Sequence, residues 1–415
     1  SESKAIFKEF IMKNNIGKLK DCYGCGVCTA VCPVKIINLK ENAGGFYSPQ
    51  ISNEEKCINC ELCLKVCAFN HKELSLQNAI PKSYAGYSKN DIIRQRCSSG
   101  GVGFEIARFL IEKGYKACGV RYDISNERAE HFIASSVEEY TPSIGSKYIQ
   151  SFSQTAFSEI SRKEKYFVSG TPCQIDSFRR YIRHLKIEDN FILLDFFCHG
   201  VPSMLLWRDY LHNVEKEIGK AGFVSWRNKT NGWHDSWNMN VDPVESNDID
   251  WHNSYNINIL GKKHFYQSRW KGGDLFYKFF LSNYCLNKCC YKSCKYKCFL
   301  SSADIRIGDL WGKTFKDENL GTNAVIVFTE NGAKILEQLK QCNLSPIATN
   351  TCVEGQMKKC PSLPLIYRHL LKALGKDEPL QKTFNHIVKP YRLLTIPKRI
   401  MNLISYKLGI KLISH

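Results

Sequence analysis

Near its start the chain reads Cys22-Tyr23-Gly24-Cys25-Gly26-Val27-Cys28-Thr29-Ala30-Val31-Cys32-Pro33. It then repeats the pattern as Cys57-Ile58-Asn59-Cys60-Glu61-Leu62-Cys63-Leu64-Lys65-Val66-Cys67. Each block has the spacing C-x2-C-x2-C-x3-C. That is the ligand spacing of a pair of [4Fe–4S] clusters, in which the fourth cysteine of each block crosses to the other cluster. The expected sets are Cys22, Cys25, Cys28 and Cys67 for one cluster, and Cys57, Cys60, Cys63 and Cys32 for the other. Zinc sites pair two C-x2-C units across a longer gap and do not step three cysteines in succession. Disulfide scaffolds belong to short secreted chains.

The remaining sequence is far longer than the cysteine blocks. At 415 residues there is room for two or three domains. A hydrophobic content of 43% and an aromatic content of 12% fit a folded globular chain. Twenty cysteines, with cluster spacing among them, point to a reducing compartment. Ser1 to Phe10 is polar and charged, unlike a signal peptide, and no apolar run reaches the length of a membrane span. The expected location is cytoplasmic, with a peripheral position at the inner face of the membrane as a further possibility. The formal charge is +18. Two oxidised clusters with their thiolates take away about 4 units, which leaves a basic chain. Its candidate partners are an acidic redox donor, an anionic substrate or a membrane surface. Nucleic acid is set aside because no recognition motif accompanies the charge.

Residues 4–13 read as a short amphipathic helix leading into the first block. Pro81 marks the end of the cluster domain near residue 80. A strand from Tyr84 to Ser88 follows. Next comes Cys97-Ser98-Ser99-Gly100-Gly101, opening a helical pattern. Hydroxyls and glycines at a helix start form an anion site for a flavin or substrate phosphate, or merely a tightly packed cap. The loop Gly145-Ser146-Lys147-Tyr148 offers a lysine to a phosphate, or is a turn. Two strand–loop–helix units come next. One is Tyr166–Ser169, Gly170-Thr171-Pro172-Cys173, then Gln174 to Ile182; the other is Phe191–Phe197, Cys198-His199-Gly200-Val201-Pro202, then Met204 to Leu211. This succession predicts a largely parallel α/β sheet, whose ligands sit outside the carboxyl ends of the strands. Residues 226–240 suggest a hairpin. A second group, Cys285, Cys289, Cys290, Cys294 and Cys298, is interleaved with lysines. Two more strands, Ala303–Gly312 and Ala324–Phe328, precede a helix from Gly332 to Cys342. From Pro379 to His415 there is no acid. That tail reads as a basic helix on anionic lipid, or equally as a packed helix with a solvated basic face.

Cys97-Ser98-Ser99-Gly100-Gly101, Gly145-Ser146-Lys147-Tyr148, Ser169-Gly170-Thr171-Pro172-Cys173-Gln174, Cys198-His199-Gly200-Val201-Pro202 and Asp304-Ile305-Arg306-Ile307-Gly308-Asp309-Leu310-Trp311-Gly312 occur in this order. Together they resemble the family of coenzyme F-420 hydrogenase/dehydrogenase beta subunits over roughly residues 84 to 340. The resemblance is to bacterial members encoded among polysaccharide-synthesis genes. It implies a bound FAD, with Ser98, Ser99, Gly100, Gly101, Ser146, Lys147, Tyr148 and Thr171 as candidate contacts. It also implies a third [4Fe–4S] cluster on Cys173, Cys198, Cys290 and Cys294. The family pair before the Asp-Ile strand is usually C-x2-C. Here Cys290-x3-Cys294 is one residue longer, and Cys289 is an alternative ligand.

The expected architecture is a two-cluster ferredoxin-like domain (1–80), a mixed, largely parallel α/β flavin-binding domain (81–345) and a basic helical tail (346–415). The expected activity is that of an iron–sulfur flavoprotein oxidoreductase. Electrons enter from a ferredoxin or similar donor, pass the clusters to FAD and reduce a small-molecule or glycan-precursor substrate. His199 is the one candidate proton donor that a motif places near the strand ends, with a structural histidine as the competing reading. Two alternatives run beside this. In one, reduced coenzyme F-420 or another hydride donor feeds the flavin and electrons leave through the clusters. In the other, the chain is a non-catalytic electron-transfer subunit of a partner enzyme.

Overall fold

Phe191-Ile192-Leu193-Leu194-Asp195-Phe196 is apolar along almost its whole length. A strand covered on both faces requires this, and its first five residues are buried. The structure, a computed structural model, describes residues 14–77, 81–227, 229, 232–244, 265–268, 274–291 and 294–395. The expected helix at 4–13 lies outside these residues, as does the tail beyond 395.

The strands are β1 (Ile37–Glu41), β2 (Tyr47–Ile51), β3 (Lys82–Ser88), β4 (Lys116–Asp123), β5 (Arg128–Ala134), β6 (Ser151–Phe152), β7 (Tyr166–Gly170), β8 (Phe191–Phe196), β9 (Ala221–Ser225), β10 (Asn238–Pro243), β11 (Phe265–Ser268), β12 (Ile305–Asp309), β13 (Asn323–Val327) and β14 (Cys342–Pro346). Nine of them form one sheet in the order β14-β3-β13-β12-β8-β7-β4-β5-β6. Its central strands β12, β8, β7 and β4 run parallel, and antiparallel partners flank them at β13 and β5. Strands β11, β10 and β9 make a second, antiparallel sheet, and β1 pairs with β2. The hairpin expected over 226–240 is the β9–β10 pair with its long connecting loop.

Alternation along the central strands sorts the core into two faces. Phe167, Ile192 and Leu194 point to one side, under the helices Val102–Glu112 and Glu330–Gln338. Val168, Phe191 and Leu193 point to the other, under the helix Pro172–His184. Val27, Val31, Ile37 and Val66 of the cluster domain belong to that second cluster of side chains too. The cluster domain therefore lies on the sheet as part of the same core. A third body of apolar residues gathers the helix Met204–Ile218, the small sheet and the helices at 275–280, 367–373 and 380–383.

Two expectations differ in detail. The helix from Gly332 stops at Gln338, and Cys342 starts the edge strand β14, paired with Ser88 of β3. The apolar residues of the segment satisfied a helical period, but an unpaired edge of β3 was there to be covered. Leu370, Leu374, Leu380, Phe384 and Val388 are buried in the third core, so the beginning of the basic tail is packed against the body.

Candidate iron–sulfur centres and the adjoining cavity

The two cysteine blocks fold alike. In the first, Gly24 and Gly26 have φ of +71° and +77°; in the second, Asn59 and Glu61 occupy the matching positions with φ of +56° and +57°. Each loop thus turns left-handed twice, which curls the chain around a centre and aims three sulfurs at it. Cys25, Cys28 and Cys67 are buried. Burial, then the neighbouring Cys25, pushes the Cys22 and Cys28 thiols well above their ordinary range. Thiolates in such a place need a cationic centre, and iron supplies it. All twenty cysteines are free thiols. Among the described residues no three cysteine sulfurs come within 4.8 Å of one another. A single zinc ion would draw its thiolates to about 3.8 Å. A pocket of about 360 Å³ lies among Cys32, Cys57, Cys60 and Cys63, the set expected for the outer cluster.

The first block faces inward. Gln150 Nε2 donates to the Tyr23 carbonyl at 3.1 Å, Ser153 Oγ to the Cys25 carbonyl at 2.8 Å, and the Ala68 amide to Ser177 Oγ at 2.9 Å. Behind Tyr23 opens a second cavity, of about 590 Å³. Five segments wall it, one of them Gln150 and Ser151. Thr171 caps the helix at 172–184 through a capping box with Gln174, and its hydroxyl lies 3.3 Å from Cys173 Sγ. The loop after β8 brings Cys198, His199 and Gly200. A third segment brings Cys289, Cys290, Cys294, Tyr296 and Lys297, and the cluster loop closes the wall with Tyr23 and Gly24. Asn287 ties three of them: its amide donates to the Val201 carbonyl at 2.8 Å, its side chain to the Cys22 carbonyl at 3.2 Å, and its carbonyl accepts from Cys290. The structure therefore brings Cys173, Cys198, Cys290 and Cys294 to one cavity, although Cys173 and Cys294 are far apart in sequence. Cys290 neighbours Cys198 and Cys294. Cys289 bonds instead to the backbone of Cys22, on the side of the inner dicluster site.

His199 lines this cavity with its Nε2 3.2 Å from the Phe280 carbonyl and its ring against Phe280 at 4.8 Å. Burial, with Lys297 nearby, pushes it down to about 4. A neutral ring held on a carbonyl is the geometry of a structural histidine.

The remaining candidates divide. Ser98 Oγ accepts from the Ser146 amide at 2.9 Å, so the two polar loops meet. Ser99 Oγ, however, donates to the Thr322 carbonyl, and Asn323 caps the helix after Gly101 through the Val102 amide. A Cβ at Gly100 would run into the Asn323 amide at 2.9 Å, so close packing requires a glycine there. Lys147 does not reach out: its ammonium donates to the carbonyls of Pro142, Ile144 and Gly145 at 2.9–3.1 Å, and burial lowers it to about 7.

Tyr148 stacks on Trp237 at 5.0 Å and approaches Phe280 at 5.4 Å. Beside it lies a group that the sequence reading missed. Buried Arg227 pairs with Asp309 at 2.6 Å, bonds Ser236 and lies 4.9 Å over Trp237 and 5.4 Å over Trp311. Trp233 stacks on Trp311 at 4.5 Å and donates to Asp309. The one signal was the stretch Trp226-Arg227-Asn228-Lys229 itself, a cation amid aromatics after a strand.

Residues 21–71 match the model of the 4Fe-4S dicluster domain. Residues 163–349, which contain all five cavity cysteines, match that of the C terminus of the coenzyme F420 hydrogenase/dehydrogenase beta subunit. Over 187 residues the chain is 28% identical to the F subunit of F(420)H(2) dehydrogenase from Methanosarcina mazei, covering 43% of this chain and 53% of that protein. The chain thus spans about half the length of this curated relative. A chain of the F420-reducing [NiFe] hydrogenase complex from Methanosarcina barkeri, solved with xenon, superposes with a TM-score of 0.44 at 17% identity, over 75% of this chain and 92% of that one. The protein thus carries a 4Fe-4S dicluster domain over residues 21–71, followed by a segment, residues 163–349, that is similar to the C terminus of coenzyme F420 hydrogenase/dehydrogenase beta subunits.

Proposed function

We propose that this protein is an oxidoreductase that moves electrons from a ferredoxin-type donor, through the dicluster domain and a third [4Fe–4S] cluster, to FAD and a small organic substrate. The observation that carries this reading is the cavity behind Tyr23, where Cys173, Cys198, Cys290 and Cys294 meet beside the inner dicluster loop. The donor set suits a cubane cluster. Cys290 is the better-placed ligand of the adjacent pair, with Cys289 turned toward Cys22.

A bound flavin supplies the exchange between single electrons and hydride. Of the residues implied for it, Ser98, Ser146 and Tyr148 suit a ligand. Ser99, Gly100 and Lys147 suit the packing that holds those loops, and Thr171 suits the cavity wall. Arg227 and Asp309 fix the aromatic rings beside Tyr148, and Tyr23 with Tyr296 keeps water from the relay. His199 holds the loop after β8, so the substrate's proton comes from solvent or from another side chain. A glycan precursor suits the resemblance to members among polysaccharide genes. The acid-free tail suits contact with anionic lipid.

The test is anaerobic purification with iron, sulfide and flavin assays. About twelve irons and one FAD per chain are expected. Cys290→Ala should lose about four irons, while Cys289→Ala keeps them. About eight irons in the unmutated chain would end the third-cluster reading. A second reading runs the electrons outward from a reduced deazaflavin, and the name of the Methanosarcina mazei relative favours it. Bleaching of the flavin by that donor, and not by reduced ferredoxin, would select it.

A further inference from the structure

The cavity behind Tyr23 is lined by five cysteines, and no Asp or Glu lines it among the described residues. One cation does: Lys297, whose ammonium donates to the Cys198 carbonyl at 3.0 Å. Among the described residues the other cations near this wall are matched. Lys295 sits 3.3 Å from Asp176 and donates to the carbonyls of Ala68, His71 and Glu73. Arg306 pairs with Asp195 at 2.6 Å, both side chains fully buried. Lys297 therefore gives the cavity a positive charge with no carboxylate among the described residues to cancel it. The outer dicluster pocket is built the other way. Glu61 lines it, and among the described residues no lysine or arginine does.

A positive charge beside a cluster stabilises the state that carries one more electron, and a negative charge opposes it. We propose that Lys297 is a positioning residue that makes the cavity site the electron sink of the chain, so that electrons run inward from the dicluster domain. This rests on the reading of the cavity as a third cluster site. The step is a single electron leaving the dicluster domain, which is oxidised, and arriving at the inner site, which is reduced. The electron is replaced by the ferredoxin-type donor.

The test is a redox titration of the full anaerobic chain, followed by electron paramagnetic resonance, with iron counted in each preparation. Lys297→Gln should keep its iron and shift the inner cluster's reduction equilibrium about tenfold toward the oxidised form, leaving the dicluster signals in place. Lys297→Arg should restore it. Thr171→Asp, which keeps a good helix cap while adding a negative charge at the same wall, should shift it in the direction of Lys297→Gln. This variant carries the test if Lys297→Gln loses iron. An unmoved inner signal in Lys297→Gln and Thr171→Asp, or one that moves together with the dicluster signals, overturns the inference. Eight irons in the unmutated chain would instead remove the third-cluster reading beneath it.

Discussion

The two cysteine blocks differ at two residues that say which way each one faces. Gly24 and Gly26 stand where Asn59 and Glu61 stand in the second block, all four left-handed. A Cβ at Gly26 would overlap Ser153 Oγ, and one at Gly24 would overlap the Gln150 amide and the Tyr47 carbonyl. In the second block Asn59 is exposed, and Asn59 and Glu61 accept hydrogen bonds from Asn14. Gly26→Ala is expected to cost about 2–4 kcal/mol, combining left-handed strain with overpacking. Glu61→Gly should change stability by less than about 1 kcal/mol. Chemical denaturation of the two variants, followed by cluster absorbance, checks the contrast. Equal losses would mean that the first block is not pressed against the body. At this scale much could be read directly. Ligand spacing is local, so all eight dicluster cysteines follow from the sequence. The glycine pair was also in plain view, but its meaning required knowing what it touches. Lys297 was one of several interleaved lysines, and among the described ones it differs from Lys288 and Lys295 in having no carboxylate partner.

Elements inherit their roles from what caps and crosses them. Apolar runs bounded by turn residues made the central strands legible, because a short run with no polar face must be covered on both sides. The edge strand β14 was not legible, since an amphipathic five-residue segment satisfies helix and edge strand alike. Nor was the joining of the Ser98 and Ser146 loops, which depends on the strand order. The short helix Leu275–Phe280 gives a testable case of capping under burial. Asp274 accepts from the Tyr277 amide at 3.0 Å and from Tyr210 Oη at 2.6 Å, yet burial raises it to about 6. The folded chain therefore binds this proton more tightly than the unfolded chain, whose pKa is near 3.9. The stabilisation is fully present below about pH 4 and is lost as pH rises through about 6. From pH 5 to pH 8 the wild type should lose about 1.4 kcal/mol relative to Asp274→Asn. Denaturant midpoints of both proteins at the two pH values measure it, and parallel pH profiles would refute it.

At the scale of the molecule the cluster domain is not a detachable carrier. Val27, Val31 and Val66 share a core with Val168, Phe178 and Leu193 of the sheet. Asn287, Gln150, Ser153 and Ser177 bond its backbone or its cysteines from the body. Iron binding is folding free energy for the segment that holds it, so here part of that energy should reach the sheet. All seven tryptophans lie between Trp207 and Trp311, outside the dicluster domain. Their fluorescence therefore reports on the body alone, while absorbance near 400 nm reports on the clusters. Chelation under anaerobic conditions should lower the melting temperature seen by tryptophan by about 5 °C or more. Cysteine substitutions confined to the outer set, Cys57 and Cys60, should lower it less than Cys25→Ala, because the inner loop makes the contacts. Tryptophan melting that stays fixed while the clusters bleach would show two independent domains and would contradict the shared core. A coupled loss would tie electron entry and substrate site into one folding unit. The distance from the inner dicluster loop to the cavity at Tyr23 would then be set by packing and not by a flexible linker.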